Sequence, residues 1–168
     1  MKEFGIFYGS TTGTTEGIAE KIAQALNVDT SDVHNVGNTN VDEVDNYKCL
    51  ILGSSTWGVG DLQDDWNGFL DKLAAKNLSG KKVALFGCGD SCTFGGSFCD
   101  ALGTIYNDLQ SSGCTFVGFI DNDGYHYDSS TAEIDGRLVG LLVDEMNEPE
   151  LTDERLNNWI KTIQQEIS

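Results

Sequence analysis

Short apolar runs alternate along the chain with stretches in which apolar residues recur every three or four positions. The continuous runs are typical of buried parallel strands, and the longer spacing predicts amphipathic helices. Strands are predicted at residues 6–9, 49–53, 82–87 and 114–120, with a polar, broken one within 28–36. Helices are predicted after Gly13, at 63–75, at 98–109 and from Thr152, with a single helical turn at 41–45. This alternation predicts an α/β fold, a doubly wound parallel sheet with helices on both faces.

The first predicted strand ends in a loop made only of Ser, Thr and Gly. Its members are Ser10, Thr11, Thr12, Gly13, Thr14 and Thr15. The helix N-terminus that follows has unpaired N–H groups and about half a positive charge, and five hydroxyls can donate to phosphate oxygens. No Lys or Arg lies between Glu3 and Glu20, unlike the loops that transfer phosphate. We therefore predict a site that holds a phosphate without transferring it; the alternative is an ordinary polar turn.

Two further loops follow strands and are expected at the same edge of the sheet. Each carries one large aromatic residue, Trp57 or Phe94, among glycines and small polar residues. Two aromatic rings on opposed loops can sandwich a flat heterocycle, and Asp90 can accept a hydrogen bond from a ring N–H. A flat heterocycle with a terminal phosphate is flavin mononucleotide (FMN). The binding residues predicted in these loops are Ser55, Thr56, Trp57, Gly58, Val59, Gly60, Cys88, Gly89, Asp90 and Phe94. The alternative is that both aromatic residues belong to the core.

At residues 6–15, 56–66 and 87–90 the sequence resembles the long-chain flavodoxins, and the match continues at 118–119 and 151–155. This resemblance implies a flavodoxin-like sheet of five strands in the order 2-1-3-4-5, tightly held FMN and one-electron transfer at low potential. It also implies that the loop from Ser10 to Thr15 grips the phosphate. Trp57 would pack on the inner face of the flavin, Phe94 would cover the outer face, and Asp90 would meet the ring's N3.

The chain departs from the family pattern around the outer aromatic residue. Phe94 stands where the family usually has Tyr, and the Gly95-Gly96 pair predicts a mobile outer wall. We interpret Cys92, in the same loop, as a small buried filler. Residues 121–138 interrupt the fifth strand before 140–143, which matches the insertion that marks long-chain flavodoxins. The polar start of this insertion is expected to contact partners or to brace a loop.

Composition limits the possible partners. The 168 residues predict one domain, 1–168, and 27 acidic against 10 basic side chains give a formal charge of −17. Such a charge disfavours nucleic acid and favours a basic protein surface. With the family resemblance, it implies basic redox proteins as partners, namely a flavodoxin reductase and low-potential oxidoreductases. No apolar run approaches the roughly 18 residues of a membrane span, and we find no signal peptide. Five cysteines are interpreted as free thiols in a reducing cytosol. We therefore expect a cytoplasmic monomer.

No Ser/His/Asp set and no metal-spaced Cys/His set is present, so the sequence predicts neither catalytic residues nor a metal site. His34 and His126 are interpreted as surface residues, and Asp61, Asp64 and Asp65 as an acidic rim. The favoured function is an electron carrier that is not an enzyme. An FMN-dependent NAD(P)H:quinone reductase on the same fold is the alternative, although Trp57 and Phe94 together would block its nicotinamide pocket. A flavin-free signalling domain is a third possibility.

Overall fold

The computed structural model describes residues 1–10, 13–57, 60–92 and 95–167, with only the backbone of Trp57. Several predicted binding residues therefore lie outside the described residues, namely Thr11, Thr12, Gly58, Val59, Phe94 and the side chain of Trp57.

The described chain alternates strands and helices as the pattern predicts. The strands are β1 (Lys2–Gly9), β2 (Val33–Asn35), β3 (Tyr47–Trp57), β4 (Asp61–Leu62), β5 (Lys82–Cys88), β6 (Thr115–Val117), β7 (Ile120–Asp121), β8 (Glu133–Ile134), β9 (Arg137–Leu138) and β10 (Gly140–Val143). The α-helices are α1 (Thr14–Leu26), α2 (Trp66–Ala74), α3 (Asp100–Asp108) and α4 (Thr152–Ile167). Six short 3-10 segments lie at Thr30–Asp32, Val36–Asn38, Val41–Asn46, Gly95–Ser97, Gln110–Ser112 and Pro149–Leu151.

Five parallel strands form the central sheet in the order β2-β1-β3-β5-β10. This is the predicted order 2-1-3-4-5, and it confirms the fold class. The fifth position is filled by two segments, because β6 pairs with Lys82–Ala84 of β5 and β10 continues along Leu85–Cys88. Val117 and Gly140 therefore occupy consecutive positions at this edge, and residues 118–139 leave and re-enter the sheet between them. That confirms the predicted interruption, although the insertion spans 118–139 rather than 121–138. The insertion also forms a small antiparallel sheet, β7-β9-β8, which was not predicted.

Side chains of the central strands are buried on both faces. In β1, Ile6 packs in the cluster that contains the buried residues of α1 and α4, and Phe7 packs in the cluster that contains those of α2 and α3. In β3, Leu50 and Ile51 alternate in the same way. Helices therefore cover both faces of the sheet, which explains why its strands have continuous apolar sequences.

Two helix starts differ from the prediction. Helix α2 begins at Trp66 rather than at Gln63, because the Gln63 side chain accepts from the Asp65 N–H (3.0 Å) and closes a turn first. Thr152 is not the cap of α4, since it already has helical angles (φ −58°, ψ −49°) after a 3-10 turn. Its hydroxyl is buried and has no partner among the described residues.

His34 is also not the surface residue that we predicted. It is half-buried, its ring stacks on Phe7 with 4.8 Å between centroids, and its Nε2 lies 2.8 Å from the Tyr47 hydroxyl. His126 is exposed, with 81% of its side chain accessible.

The buried carboxylate of Asp32 lies where β1 and β3 begin. It accepts from Lys2 Nζ (2.8 Å) and from the Tyr47 hydroxyl (2.9 Å). The hydrogen bond from Lys2 is the main reason that the pKa of Asp32 is lower than usual. The carboxylate therefore stabilises the fold above its unfolded pKa, and this contribution is lost as the pH falls through the lower folded pKa.

We expect Asp32→Asn to lower the free energy of unfolding by about 1–2 kcal/mol at neutral pH, because two donors lose a charged acceptor. Urea unfolding at a series of pH values measures the gap, the difference in free energy of unfolding between the variant and the wild type. This gap should close as the pH falls below 4, the region of an ordinary aspartate pKa. The exposed Asp71→Asn variant is the control and should show no such gap. A gap that does not change with pH would contradict this role of the charge.

Candidate functional site

The strand register brings the described parts of the predicted loops to one edge. Gly9 of β1 lies beside Ser54 of β3, and Ser55 of β3 lies beside Cys88 of β5. Cys88 in turn lies beside Val143, the last residue of β10. All four strands are parallel, so the segments that follow them emerge together at the carboxyl edge of the sheet, where open α/β sheets bind ligands.

The first loop leads into an N-terminus of α1 that is open to a ligand. The Ser10 hydroxyl accepts from the Gly13 N–H (3.0 Å), which folds the loop back toward the helix. Gly13 has φ +91°, and, its chain neighbours aside, no atom of the described residues lies within 4 Å of the position that a Cβ would take. Gly13 is the N-cap of α1 and, as glycine, has no side chain that could occupy the first N–H groups of the helix. The first N–H groups of α1 are thus available to an anion.

Thr15 provides the test of whether a phosphate fits here. It is fully buried, and its hydroxyl has no hydrogen-bond partner among the described residues. The Cys88 thiol lies beside it, but sulfur bonds only weakly. A buried hydroxyl left unpaired costs about 1–3 kcal/mol. A phosphate oxygen at the start of α1 would supply the missing acceptor, so the residues present fit this group.

The second loop is anchored at both ends on the start of α3. The Thr56 hydroxyl accepts from the Ala101 N–H (3.1 Å). Across the hairpin, Trp57 of β3 pairs with Asp61 of β4. Gly60 has φ +89°, and a Cβ there would lie 3.0 Å from Asp100 Oδ2, so this turn both needs glycine's left-handed angle and packs closely on α3. The backbone that carries Trp57 is therefore held on both sides.

The third loop contains one buried thiol and one exposed thiol. Burial raises the pKa of Cys88 to about 12, so its thiol is inert at neutral pH. The Gly89 N–H donates to the Val143 carbonyl (3.0 Å), which ties the loop to β10. Asp90 is half-buried, and its Oδ1 accepts from the N–H of Cys92 (3.2 Å). Cys92 is exposed, so its interpretation as a buried filler was wrong. All five cysteines are free thiols.

The insertion is bonded to the segment that follows Phe94, residues 95–100. Three backbone hydrogen bonds join the two: the N–H groups of Asp128 and Ser129 donate to the Gly95 carbonyl (2.9 and 3.0 Å), and the Phe98 N–H donates to Ser129 (3.3 Å). Side chains take part in four more hydrogen bonds. The hydroxyls of Ser129, Ser130 and Thr131 donate to backbone carbonyls of the segment 95–100. The Thr131 N–H donates to the Asp100 carboxylate.

Aromatic stacking adds to this contact, with Tyr127 lying on Phe98 at 5.4 Å between centroids. Gly95 and Gly96, which we expected to loosen the outer wall, are held by these bonds. The insertion thus braces residues 95–100, but the hydrogen bonds come from 128–131. Of the polar start, for which bracing was one of two expected roles, Tyr127 takes part through its ring.

A polar cluster after β10 was missed by the sequence analysis. Asp144 and Asn147 follow this strand and hydrogen-bond with Ser91 and Asp90 of the third loop. The available signal was their position, because polar residues that follow a buried strand lie at the carboxyl edge. Among the described residues no group of three or more His, Cys, Asp or Glu could hold a metal ion. Asp61, Asp64 and Asp65 are exposed, as an acidic rim requires.

A sequence model for the family described as Flavodoxin matches residues 6–159. The chain belongs to the flavodoxin family. Flavodoxin 1 of Escherichia coli K12 is 43% identical over 164 residues, which cover 97% of this chain and 93% of that protein. The flavodoxin of Synechocystis sp. is 43% identical over 97% of this chain and 96% of its own length. The crystal structure of Fusobacterium nucleatum flavodoxin bound to flavin mononucleotide superposes with a TM-score of 0.90 and 39% identity, covering 99% of each chain. The family resemblance predicted from the sequence is thereby confirmed.

Proposed function

We propose that this flavodoxin is a one-electron carrier that holds FMN non-covalently and shuttles electrons between redox proteins at low potential. The observation that carries the proposal is at the N-terminus of α1, where the buried hydroxyl of Thr15 has no hydrogen-bond partner among the described residues. This arrangement suits the phosphate of FMN, the molecule bound by the similar flavodoxin of Fusobacterium nucleatum. The whole chain, 1–168, acts as one domain.

The residues that would hold FMN divide between the phosphate and the ring. Those for the phosphate are Ser10, Thr11, Thr12, Gly13, Thr14 and Thr15. Those for the ring are Ser55, Thr56, Trp57, Gly58, Val59, Gly60, Cys88, Gly89, Asp90 and Phe94. Bound FMN supplies the redox chemistry, and the chain supplies position, electrostatics and exclusion of water. The phosphate site has no Lys or Arg among its predicted members, which suits a group that is gripped and not transferred.

The carrier is favoured over an NAD(P)H:quinone reductase because the named relatives are flavodoxins over nearly their full lengths. The discriminating experiment uses the purified protein loaded with FMN, NADPH or NADH, and a quinone. We expect no oxidation of the nicotinamide until a separate reductase is added. Steady turnover by the protein alone would overturn the carrier function in favour of the enzyme.

Partner recognition is proposed to depend on charge. A formal charge of −17 should steer the protein to basic surfaces on a flavodoxin reductase and on low-potential oxidoreductases. We therefore expect the association rate with such a reductase, measured by stopped flow, to fall as salt is raised. Screening acts over about 10 Å at 0.1 M salt. An association rate that does not change with salt would indicate an apolar docking surface instead.

We further propose a cytoplasmic monomer that binds neither nucleic acid nor membranes. None of the helices in the described residues is long and apolar enough to cross a bilayer.

A further inference from the structure

The carboxylate of Asp90 is tied to a residue from a different strand end. Its Oδ1 accepts from the side-chain amide of Asn147, with 2.8 Å between the oxygen and Nδ2. The same nitrogen lies 2.8 Å from Oδ1 of Asp144. A primary amide has two N–H groups, so one side chain can donate to both carboxylates at once. Asn147 therefore links the loop after β5 to the residues after β10.

Asp144 is the fixed end of this link. It is fully buried, and it also accepts from the hydroxyl of Ser91 and from the backbone N–H of Asn147 (3.3 Å). It takes part in none of the ion pairs among the described residues, so hydrogen bonds alone compensate its burial. Reversing the Asn147 amide would point its oxygen at two carboxylate oxygens. Asp144 thus fixes the orientation of Asn147.

We propose that Asn147 is a positioning residue of the flavin site, which holds the Asp90 carboxylate ready to accept a ring N–H. This inference rests on the proposed function and on the contact between Asp90 and N3 of the flavin that the family resemblance implies. Asn147 acts through Asp90 and need not touch the ring. Because the carboxylate is oriented before binding, less conformational freedom is lost when FMN binds, and affinity rises. The pair therefore contributes to selecting flavins that carry a hydrogen on N3.

The test compares FMN with its 3-methyl analogue, in which that hydrogen is replaced by a methyl group. Asn147→Leu removes both donors while keeping a similar size. We expect its Kd for FMN to rise by about tenfold, the loss of one modest interaction. Its Kd for 3-methyl-FMN should change less than about twofold, because no N–H remains for Asp90 to accept. Exposed Asn157→Leu on α4 is the matched control and should leave both affinities unchanged.

A second background separates positioning from general loosening of the loop. In an Asp90→Ala protein the substitution Asn147→Leu should have no further effect on the Kd for FMN. Since Asn147→Leu leaves a buried carboxylate short of donors, the double variant Asp144→Asn/Asn147→Leu is tested beside it. Unfolding of each apoprotein, followed by circular dichroism, verifies that the variants fold. In the double variant, too, we expect the Kd for FMN to rise and the Kd for 3-methyl-FMN to change little.

Equal weakening for both flavins, or an undiminished effect in the Asp90→Ala background, would overturn the inference in favour of a purely structural role. An unchanged Kd for FMN in both variants would overturn it as well. If the unaltered chain does not bind FMN, the proposed function fails first, and this inference fails with it.

Discussion

Riboflavin, which lacks the phosphate, should bind this flavodoxin about a hundredfold or more weakly than FMN. Hydrogen bonds to a charged group contribute about 1.5–3 kcal/mol each, and losing two of them amounts to at least two powers of ten. Ser10, Thr14 and Thr15 are described residues placed to make such bonds at the start of α1. Titration of flavin fluorescence with apoprotein measures both dissociation constants. Equal dissociation constants for FMN and riboflavin would show that this loop does not bind the phosphate.

Thr15→Val sharpens the test because it should change affinity and stability in opposite directions. The substitution removes a buried hydroxyl that has no partner among the described residues, so the apoprotein should gain about 1 kcal/mol. FMN should lose about tenfold in affinity, while riboflavin should be unaffected. Thr115→Val on the exposed surface of β6 is the control, and it should change neither dissociation constant. A loss of stability in Thr15→Val would show that its hydroxyl is already paired without ligand.

Deleting residues 118–139, so that Val117 is followed directly by Gly140, should weaken FMN binding by at least about tenfold. The pairing of β6 and β10 with consecutive residues of β5 makes this join compatible with the sheet. The deletion removes every bond between the insertion and residues 95–100. In the variant, the segment after Phe94 would lose conformational freedom only when the ligand binds, and this cost lowers the affinity. Isothermal titration of apoprotein with FMN measures the change.

A lengthened insertion provides the control for this deletion. Two glycines added at Gly136, in the turn between β8 and β9, leave the bonded residues 128–131 in place. We expect this variant to keep the affinity of the unaltered protein. Retained affinity in the deletion variant, with its fold verified by circular dichroism, would show that the insertion does not position the outer loop.

Most of the sheet was predictable because helices bury both of its faces. A strand that is buried on both sides needs a continuous apolar sequence, and such sequences predicted β1, β3 and β5. The strands of the insertion could not be found in this way, since two residues carry no periodicity. The start of α2 was missed for a different reason: the Gln63 side chain closes a turn, which helical spacing does not reveal.

The site was predictable as far as it depends on strand ends. Parallel strands bring the segments that follow them to one edge, so three loops of unusual composition were expected to meet. Tertiary contacts decide the rest. Its position after a buried strand places Asn147 at the carboxyl edge, but the sequence does not show that its amide lies between two carboxylates. The exposure of Cys92 and the stacking of His34 on Phe7 likewise depend on how the chain packs.

The broken fifth strand also bears on solubility. A sheet edge with a long row of unpaired N–H and C=O groups can template aggregation, and short edge strands prevent this. Here one edge is β2, with three residues, and the other is divided between β6 and β10, with three and four. The insertion also covers part of that edge, where the Tyr125 hydroxyl donates to the Leu142 carbonyl (2.6 Å). Joining the two halves would create one continuous exposed strand, so on heating the deletion variant should scatter light at a lower temperature than the parent protein.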